Sequence, residues 1–179
     1  EKQEFLVEKA KEGTNLILVG LLPRFNSDLG KCEVLANAIN CKTQALGKIG
    51  TVITSKDKFP SYVFGSINTT ARKSKKLATY TKKNIGLVIN KFKGQIILLT
   101  FDISSQGNHM KVNFLHNILE DLGVKFPIQT SHPNVRVFLH KGEKGSMLYI
   151  LNSMPSQIFR RSRVMPTKVV VQVDLKAFG

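Results

Sequence analysis

Two uninterrupted apolar runs constrain the fold of this chain more than any other feature. Residues 15–19 read Asn-Leu-Ile-Leu-Val and end at Gly20, and residues 95–102 read Gln-Ile-Ile-Leu-Leu-Thr-Phe-Asp. Strands that are buried on both faces have this appearance, whereas a strand with one solvated face alternates. Both runs are therefore predicted to be buried strands, and the first is predicted to lie at the centre of a parallel sheet.

Three segments around these runs show helical periodicity, at residues 2–12, 31–39 and 108–122. Gly13 and Gly123 follow two of them and supply stop signals. Between Thr43 and Ile103, short β-branched or aromatic runs alternate with turn residues, which predicts several strands. The fold class predicted is α/β, a sheet with helices.

The last third of the chain predicts a different architecture. Residues 127–133 are interpreted as a polar connection, and residues 135–139 and 147–151 form a hairpin pattern around the turn at 142–145. Further strands are predicted at 158–165 and 169–175. The predicted organisation is an α/β domain over residues 1–126 and a small antiparallel β domain over residues 134–179.

The formal net charge of +15 raises the question of a nucleic-acid partner. Residues 61–104 carry eight basic side chains and one acidic side chain. Tyr62, Phe64, Tyr80 and Phe92 lie near this segment, and Phe159 lies beside a second basic cluster. A nucleic-acid patch, the alternative function, would use Arg72, Lys73, Lys75, Lys76, Lys82, Lys83, Arg160, Arg161 and Arg163. A solvated lysine-rich surface is the preferred interpretation, because lysine dominates the first cluster and sequence-reading surfaces favour arginine.

No catalytic, cofactor-binding or metal-binding residue is predicted. Asp102 follows a predicted buried strand, where α/β sheets place ligand-facing groups, but capping the next turn is the preferred role. A small enzyme that uses Asp102 and a neighbouring histidine stays open as a third hypothesis. The four histidines fit no metal motif and are interpreted as surface or capping residues. Cys32 and Cys41 are interpreted as packing residues.

Four segments, read together, carry a resemblance to a known family. They are EFLVEKAKEGTNLILVGLLP at residues 4–23, DLGKCEVL at 28–35, IGLVINKFKGQIILLTFDI at 85–103 and VRVFLHKGEKGSMLYILN at 135–152. This order resembles the non-catalytic C-terminal region of β-galactosidase-like glycoside hydrolases. Their α/β part resembles a class I glutamine-amidotransferase domain that has lost its catalytic cysteine, and here Gly20-Leu21-Leu22-Pro23 has none.

The resemblance implies a partial flavodoxin-like or amidotransferase-like sheet, with its N-terminal part missing, and an assembly role in carbohydrate metabolism. It implies that the catalytic barrel with its two carboxylates lies elsewhere, so the chain is expected to be a fragment or one piece of a larger enzyme. The implied partners are the remainder of that enzyme or another subunit, including a homo-oligomer. No cofactor and no membrane are expected, and the absence of a secretory leader favours the cytoplasm.

Overall fold

The computed structural model describes residues 1–104, 109–131, 135–142, 145–152 and 168–174. The chain divides into two compact units, Glu1–Ser105 and Gln106–Gly179, and each contains both helix and strand. The predicted division into residues 1–126 and 134–179 stays a prediction.

The first unit contains two helices and six strands in chain order. The helix predicted at 2–12 is confirmed, and the helix predicted at 31–39 is shorter and begins at Val34. The elements are α1 (Lys2–Glu12), β1 (Leu16–Val19), α2 (Val34–Ile39), β2 (Cys41–Thr54), β3 (Lys58–Thr69), β4 (Ser74–Tyr80), β5 (Lys83–Ile89) and β6 (Ile96–Leu99).

These six strands form one mixed sheet in the order β1-β6-β5-β4-β2-β3. The pair β1–β6 is parallel, and every other strand pair in the sheet is antiparallel. The predicted α/β class, with a flavodoxin-like or amidotransferase-like sheet, is therefore wrong, because the unit is mostly β. Three residues join β2 to β3 and two join β4 to β5, and connections this short can only produce antiparallel neighbours.

The prediction that the first apolar run lies at the centre of a parallel sheet is also wrong, whereas the second run is a buried strand, as predicted. β6 is central, and its four residues are buried. β1 is an edge strand in the described part of the chain: Leu16, Ile17 and Leu18 are half-buried and Val19 is exposed. β1 therefore has more apolar side chains than its partial burial within this unit would require.

The sheet curls until its far strand, β3, meets the residues that follow β6. The backbone N–H groups of Phe64 and Gly65 donate to the Thr100 carbonyl, at 2.8 and 3.2 Å, and the Asp102 N–H donates to the Tyr62 carbonyl at 2.8 Å. Phe101 is fully buried there, with its ring centroid 6.1 Å from that of Phe59. This partial closure further distinguishes the unit from an open doubly wound sheet.

Both helices contribute to one hydrophobic core on the sheet. Helix α1 contributes Val7 and Ala10, helix α2 contributes Leu35 and Ile39, and β6 contributes Ile96 among others. The turn before β6 fits tightly against the end of α1, because a Cβ on Gly94 would lie 2.1 Å from the Thr14 carbonyl oxygen. Glycine is therefore required at position 94.

The second unit contains one helix and four strands among its described residues. They are α3 (His109–Asp121), β7 (Ile128–Thr130), β8 (Val135–Gly142), β9 (Gly145–Asn152) and β10 (Val171–Val173). The predicted helix at 108–122 and the predicted hairpin, β8 with β9, are confirmed.

One prediction for the second unit needs correction, and another concerns residues that the structure does not describe. The segment 127–133 is not only a polar connection, since it contains β7, which pairs antiparallel with β10. β10 lies within the strand predicted at 169–175. The strand predicted at 158–165 lies outside the described residues.

Candidate functional site

Four basic residues of the predicted nucleic-acid patch lie at the two ends of one strand. Arg72 and Lys73 precede β4, whereas Lys82 lies in the turn from β4 to β5 and Lys83 begins β5, and all four are exposed. Seven strand residues at about 3.3 Å each separate these groups by about 20 Å. The described basic residues therefore form two small groups, and Arg160, Arg161 and Arg163 lie outside the described residues.

Lys75 and Lys76, between those two groups, are exposed. As successive residues of β4 they project from opposite faces of the strand. They therefore do not join the two end groups into one face.

The nearby aromatic rings are used in packing. The Tyr80 ring lies against Gly50, where a Cβ would meet its Cε2 atom at 2.2 Å, and Phe92 packs on the hydrophobic core. Tyr62 and Phe64 lie on β3, which β2 separates from β4, and their rings meet edge to face at 5.4 Å. The alternation of basic and aromatic residues along the sequence does not produce a stacking platform beside the β4 lysines.

Asp102 caps a turn, as its preferred interpretation predicts. Its Oδ1 accepts hydrogen bonds from the Ser104 backbone N–H at 2.9 Å and from the Ser104 hydroxyl at 2.5 Å. This is the local arrangement by which aspartate stabilises a turn two residues on.

Cys41 belongs to the core, as predicted, and Cys32 is half-buried. The Cys41 thiol donates to the Thr69 hydroxyl at 3.1 Å. Burial raises the pKa of this thiol, and the Thr69 contact acts in the opposite direction. A thiol that stays protonated is a poor nucleophile, so Cys41 is suited to packing rather than to covalent catalysis.

A cleft of about 430 Å³ lies where α2 ends and β2 begins, and the sequence analysis missed it. Asn40, in the left-handed region at φ 54°, turns the chain there, and its carbonyl accepts from the Thr69 hydroxyl and the Thr70 N–H. The walls include the amides of Asn37 and Asn68. The sequence feature that could have indicated this cleft is the presence of asparagines at the ends of two elements, α2 and β3, which lie far apart along the chain. Lys42 also lines this cleft, whereas no aromatic ring and no carboxylate is among its described walls. Its walls therefore offer hydrogen bonds and one positive charge.

A second cleft, of about 410 Å³, lies within the second unit. His116 stacks on Phe126 with ring centroids 4.2 Å apart, and its Nδ1 lies 3.5 Å from the Glu120 carboxylate. His116 therefore has a surface role, as interpreted. His140 is exposed, and the His109 side chain and His132 lie outside what the structure describes.

Metal-ligand clusters and membrane-spanning helices are absent from the described residues. Within those ranges, no group of three or more His, Cys, Asp or Glu side chains is arranged to hold a metal ion. None of the helices that the structure describes is long and apolar enough to span a bilayer.

Strand β9 carries an exposed apolar surface in the second unit. Five consecutive residues are exposed, with fractions from 37% to 57%: Met147, Leu148, Tyr149, Ile150 and Leu151. Because successive strand residues face opposite ways, both faces of β9 are apolar. The sequence already indicates this surface, because residues 147–151 form an unbroken apolar run. In a strand with one solvated face, apolar and polar residues would alternate.

The comparisons with known proteins concern the fold. No protein-family model and no curated protein sequence matches the chain. Among solved structures, the chain is similar to Gan42B, a GH42 β-galactosidase from G. stearothermophilus, with a TM-score of 0.62 and 13% identity over 84% of this chain and 24% of that chain.

Two further β-galactosidases match over the same share of this chain. The enzyme from Bacillus circulans sp. alkalophilus has a TM-score of 0.56 and 16% identity, and the enzyme from Rahnella sp. R3 has a TM-score of 0.56 and 13% identity. The chain covers 25% of each. It thus spans about a quarter of the length of these enzymes and has the fold of one of their regions.

Proposed function

We propose that the chain is a non-catalytic structural module of a β-galactosidase-like glycoside hydrolase. The similarity in fold to a region of three β-galactosidases supports the enzyme class. Hydrolysis of a glycoside uses a pair of carboxylates that flank the scissile bond. In this proposal that pair belongs to the remainder of the enzyme, and the present chain supplies packing surface.

The exposed apolar strand β9 is the observation that carries the structural role. A two-stranded hairpin is marginally stable in water unless one face is covered. Ile150 is 54% exposed and Tyr149 is 48% exposed, so the hairpin gains stability when another part of the enzyme covers it. Covering an aliphatic side chain fully is worth about 1.5–3 kcal/mol.

The test uses the natural-length polypeptide that contains this sequence and a chromogenic β-D-galactoside. We expect turnover by the unmodified protein. Ile150→Lys should lower its thermal midpoint by several degrees while leaving kcat per folded molecule unchanged. Ile49→Lys is the matched control, because Ile49 is 79% exposed on β2 and should tolerate the charge.

Asp102→Asn separates the structural module from an independent enzyme. The proposal predicts unchanged turnover for this variant, because the Asp102 carboxylate caps a turn and takes no part in hydrolysis. Loss of turnover in Asp102→Asn, or absence of galactoside hydrolysis by the unmodified protein, would contradict the proposal.

A further inference from the structure

Polar side chains from three elements converge on the cleft at the end of α2. Asn37 belongs to α2, Lys42 to β2 and Asn68 to β3, and all three are exposed. Lys42 and Asn68 are cross-strand partners in the β2–β3 ladder, so their side chains leave the same face with Cβ atoms about 5 Å apart. The cleft therefore places an ammonium group beside an amide.

Hydrogen bonds within the chain fix the wall behind these groups. The Thr69 hydroxyl donates to the Asn40 carbonyl at 3.2 Å and accepts from the Cys41 thiol at 3.1 Å. The same hydroxyl accepts from the Ala71 N–H at 3.0 Å, and the Thr70 N–H donates to the Asn40 carbonyl at 3.1 Å. Because these contacts already exist in the chain without a ligand, the cleft is preformed, as small-molecule sites usually are.

The backbone carbonyls at this end of α2 are already used as acceptors. The Asn40 N–H donates to the carbonyls of Ala36 and Asn37, and the Asn40 carbonyl accepts the two donors from Thr69 and Thr70. A ligand in the cleft therefore meets side chains rather than unsatisfied carbonyls.

The side chains on the rim are available to a ligand. Those of Asn37, Lys42 and Asn68 make no hydrogen bond or ion pair with any other residue that the structure describes. An ammonium group supplies three donors and no acceptor, whereas an amide supplies two donors and one acceptor oxygen. Donors therefore exceed acceptors on this rim, which favours a ligand with acceptor oxygens.

The charge and the size of the cleft define the ligand further. Lys42 is the one charged residue among its described walls, and the net charge of +15 also favours an anion over a cation. A volume of about 430 Å³ is that of about fourteen water molecules at about 30 Å³ each, which is more than inorganic phosphate fills. Amides both donate and accept, as the hydroxyl groups of a sugar do.

We propose that this cleft binds a small polyhydroxylated anion, namely a monosaccharide that carries a phosphate or carboxylate group. The Lys42 ammonium and the Asn68 amide bind the acidic group. The Asn37 and Asn40 amides and the Thr70 hydroxyl bind the hydroxyl groups of the ligand. This binding site goes beyond the proposed function and does not depend on it, because its argument uses only the walls of the cleft.

Isothermal titration of the natural-length polypeptide tests this with four probes. D-galactose 6-phosphate and D-galacturonate carry both features of the ligand, D-galactose lacks the charge, and inorganic phosphate lacks the sugar hydroxyls. We expect at least one acidic sugar to bind at least about tenfold more tightly than D-galactose and inorganic phosphate, because a hydrogen bond to a charged group contributes about 1.5–3 kcal/mol. Binding of neither acidic sugar, or equally tight binding of D-galactose or phosphate, would overturn the proposal.

Substitutions assign the binding to this cleft rather than to another part of the polypeptide. Lys42→Met removes the charge, and Asn68→Asp introduces a carboxylate of nearly the same size. We expect each variant to weaken binding of the acidic sugar at least about tenfold. Lys48→Met is the matched control, because Lys48 is exposed on the same strand about 20 Å away, beyond the Debye length of about 8 Å.

Affinity in Lys48→Met should stay within about twofold of the unmodified protein. Unchanged affinity in Lys42→Met, or an equal loss in Lys48→Met, would overturn the proposal. Thermal midpoints without ligand verify that each variant folds, and if Lys42→Met does not, Asn68→Asp decides.

The outcomes also separate this proposal from the proposed function. If the acidic sugar binds in a way that depends on Lys42 but the protein does not hydrolyse galactosides, the proposed function alone is overturned. If the protein hydrolyses galactosides but its affinity for the acidic sugar does not depend on Lys42, the cleft proposal alone is overturned.

Discussion

At the scale of single residues, Thr100 joins three strands at the point where the sheet curls. Its side chain is fully buried, and its hydroxyl lies 2.6 Å from the Gly65 carbonyl and 3.2 Å from the Ile85 carbonyl. Its own carbonyl accepts the N–H groups of Phe64 and Gly65. A hydroxyl is needed here because a buried carbonyl without a donor loses its hydration without compensation.

We therefore expect Thr100→Val to lower the free energy of unfolding by about 1–3 kcal/mol, because it keeps the shape and removes the donor. Urea denaturation followed by circular dichroism measures this. Thr51→Val is the control, because Thr51 lies on β2 with an exposed side chain, and this variant should change the free energy of unfolding by less than about 0.5 kcal/mol. Equal effects at the two positions would show that the Thr100 hydroxyl contributes nothing.

Cys41 gives the protein a predictable sensitivity to alkaline pH. Burial raises the pKa of its thiol in the folded state, so the unfolded chain loses this proton first as pH rises. The contribution to stability is complete below about pH 8.5 and decreases above it, by at most about 1.4 kcal/mol per pH unit. We expect the free energy of unfolding of Cys41→Ala to fall less steeply between pH 8.5 and 10.5 than that of the unmodified protein.

Urea denaturation across this pH range measures the difference. Cys32→Ala is the matched control, since Cys32 is only half-buried, and it should retain the slope of the unmodified protein. A slope in Cys41→Ala equal to that of Cys32→Ala would contradict the expectation.

At the scale of elements, the hairpin β4–β5 contains an unusual turn. Tyr80 pairs with Lys83, and the two residues between them, Thr81 and Lys82, have positive φ values of 44° and 66°. Two-residue hairpin loops with positive φ at both positions are type I′ turns, which favour Asn-Gly. Threonine and lysine are strained in this region.

Thr81→Asn combined with Lys82→Gly should therefore raise the free energy of unfolding, by about 1 kcal/mol. The midpoint of urea denaturation measures the gain. Lys56→Gly, at a turn residue without positive φ, should give no gain. A double variant less stable than the unmodified protein would mean that the turn tolerates its present residues without strain.

The sequence predicts where helices and strands lie along the chain better than it predicts which strands lie next to each other in a sheet. Apolar runs and helical periodicity located α1, α3 and the β8–β9 hairpin, since these patterns depend on local burial. They did not reveal that β1 lies at an edge, because a four-residue apolar run reads the same at an edge and in the centre. β7 was missed because Ile-Gln-Thr beside Pro127 is short and polar, and its partner β10 is distant in sequence.

The candidate sites were predictable to different degrees for a similar reason. The turn role of Asp102 depends on Ser104, two residues away, and was predictable. The separation of Arg72 from Lys82 was not, because the sequence does not show that a whole strand lies between them. The asparagine-lined cleft joins α2 to the end of β3, and only the folded chain brings these together.

At the scale of the whole molecule, we expect the charge of +15 to act as a general field rather than as a defined interface. We expect Arg72→Ala with Lys73→Ala to weaken retention of a short DNA duplex no more than Lys56→Ala with Lys58→Ala does. Both pairs remove two exposed positive charges. A gel-shift titration at low salt measures this, and a loss at least about tenfold greater for the first pair would restore the nucleic-acid hypothesis.

The parallel contact between β1 and β6 also suggests an order of folding. The Asn15 side-chain oxygen accepts from the Gln95 N–H across 80 residues of chain, whereas β2–β3 and β4–β5 close over two or three residues. Closing a long loop costs more entropy than closing a short one, so we expect the hairpins to form early and β1 to pair with β6 late. The open apolar edge of β1 is thus assembled only in the last steps, which shortens the time that a nascent molecule presents it to other chains.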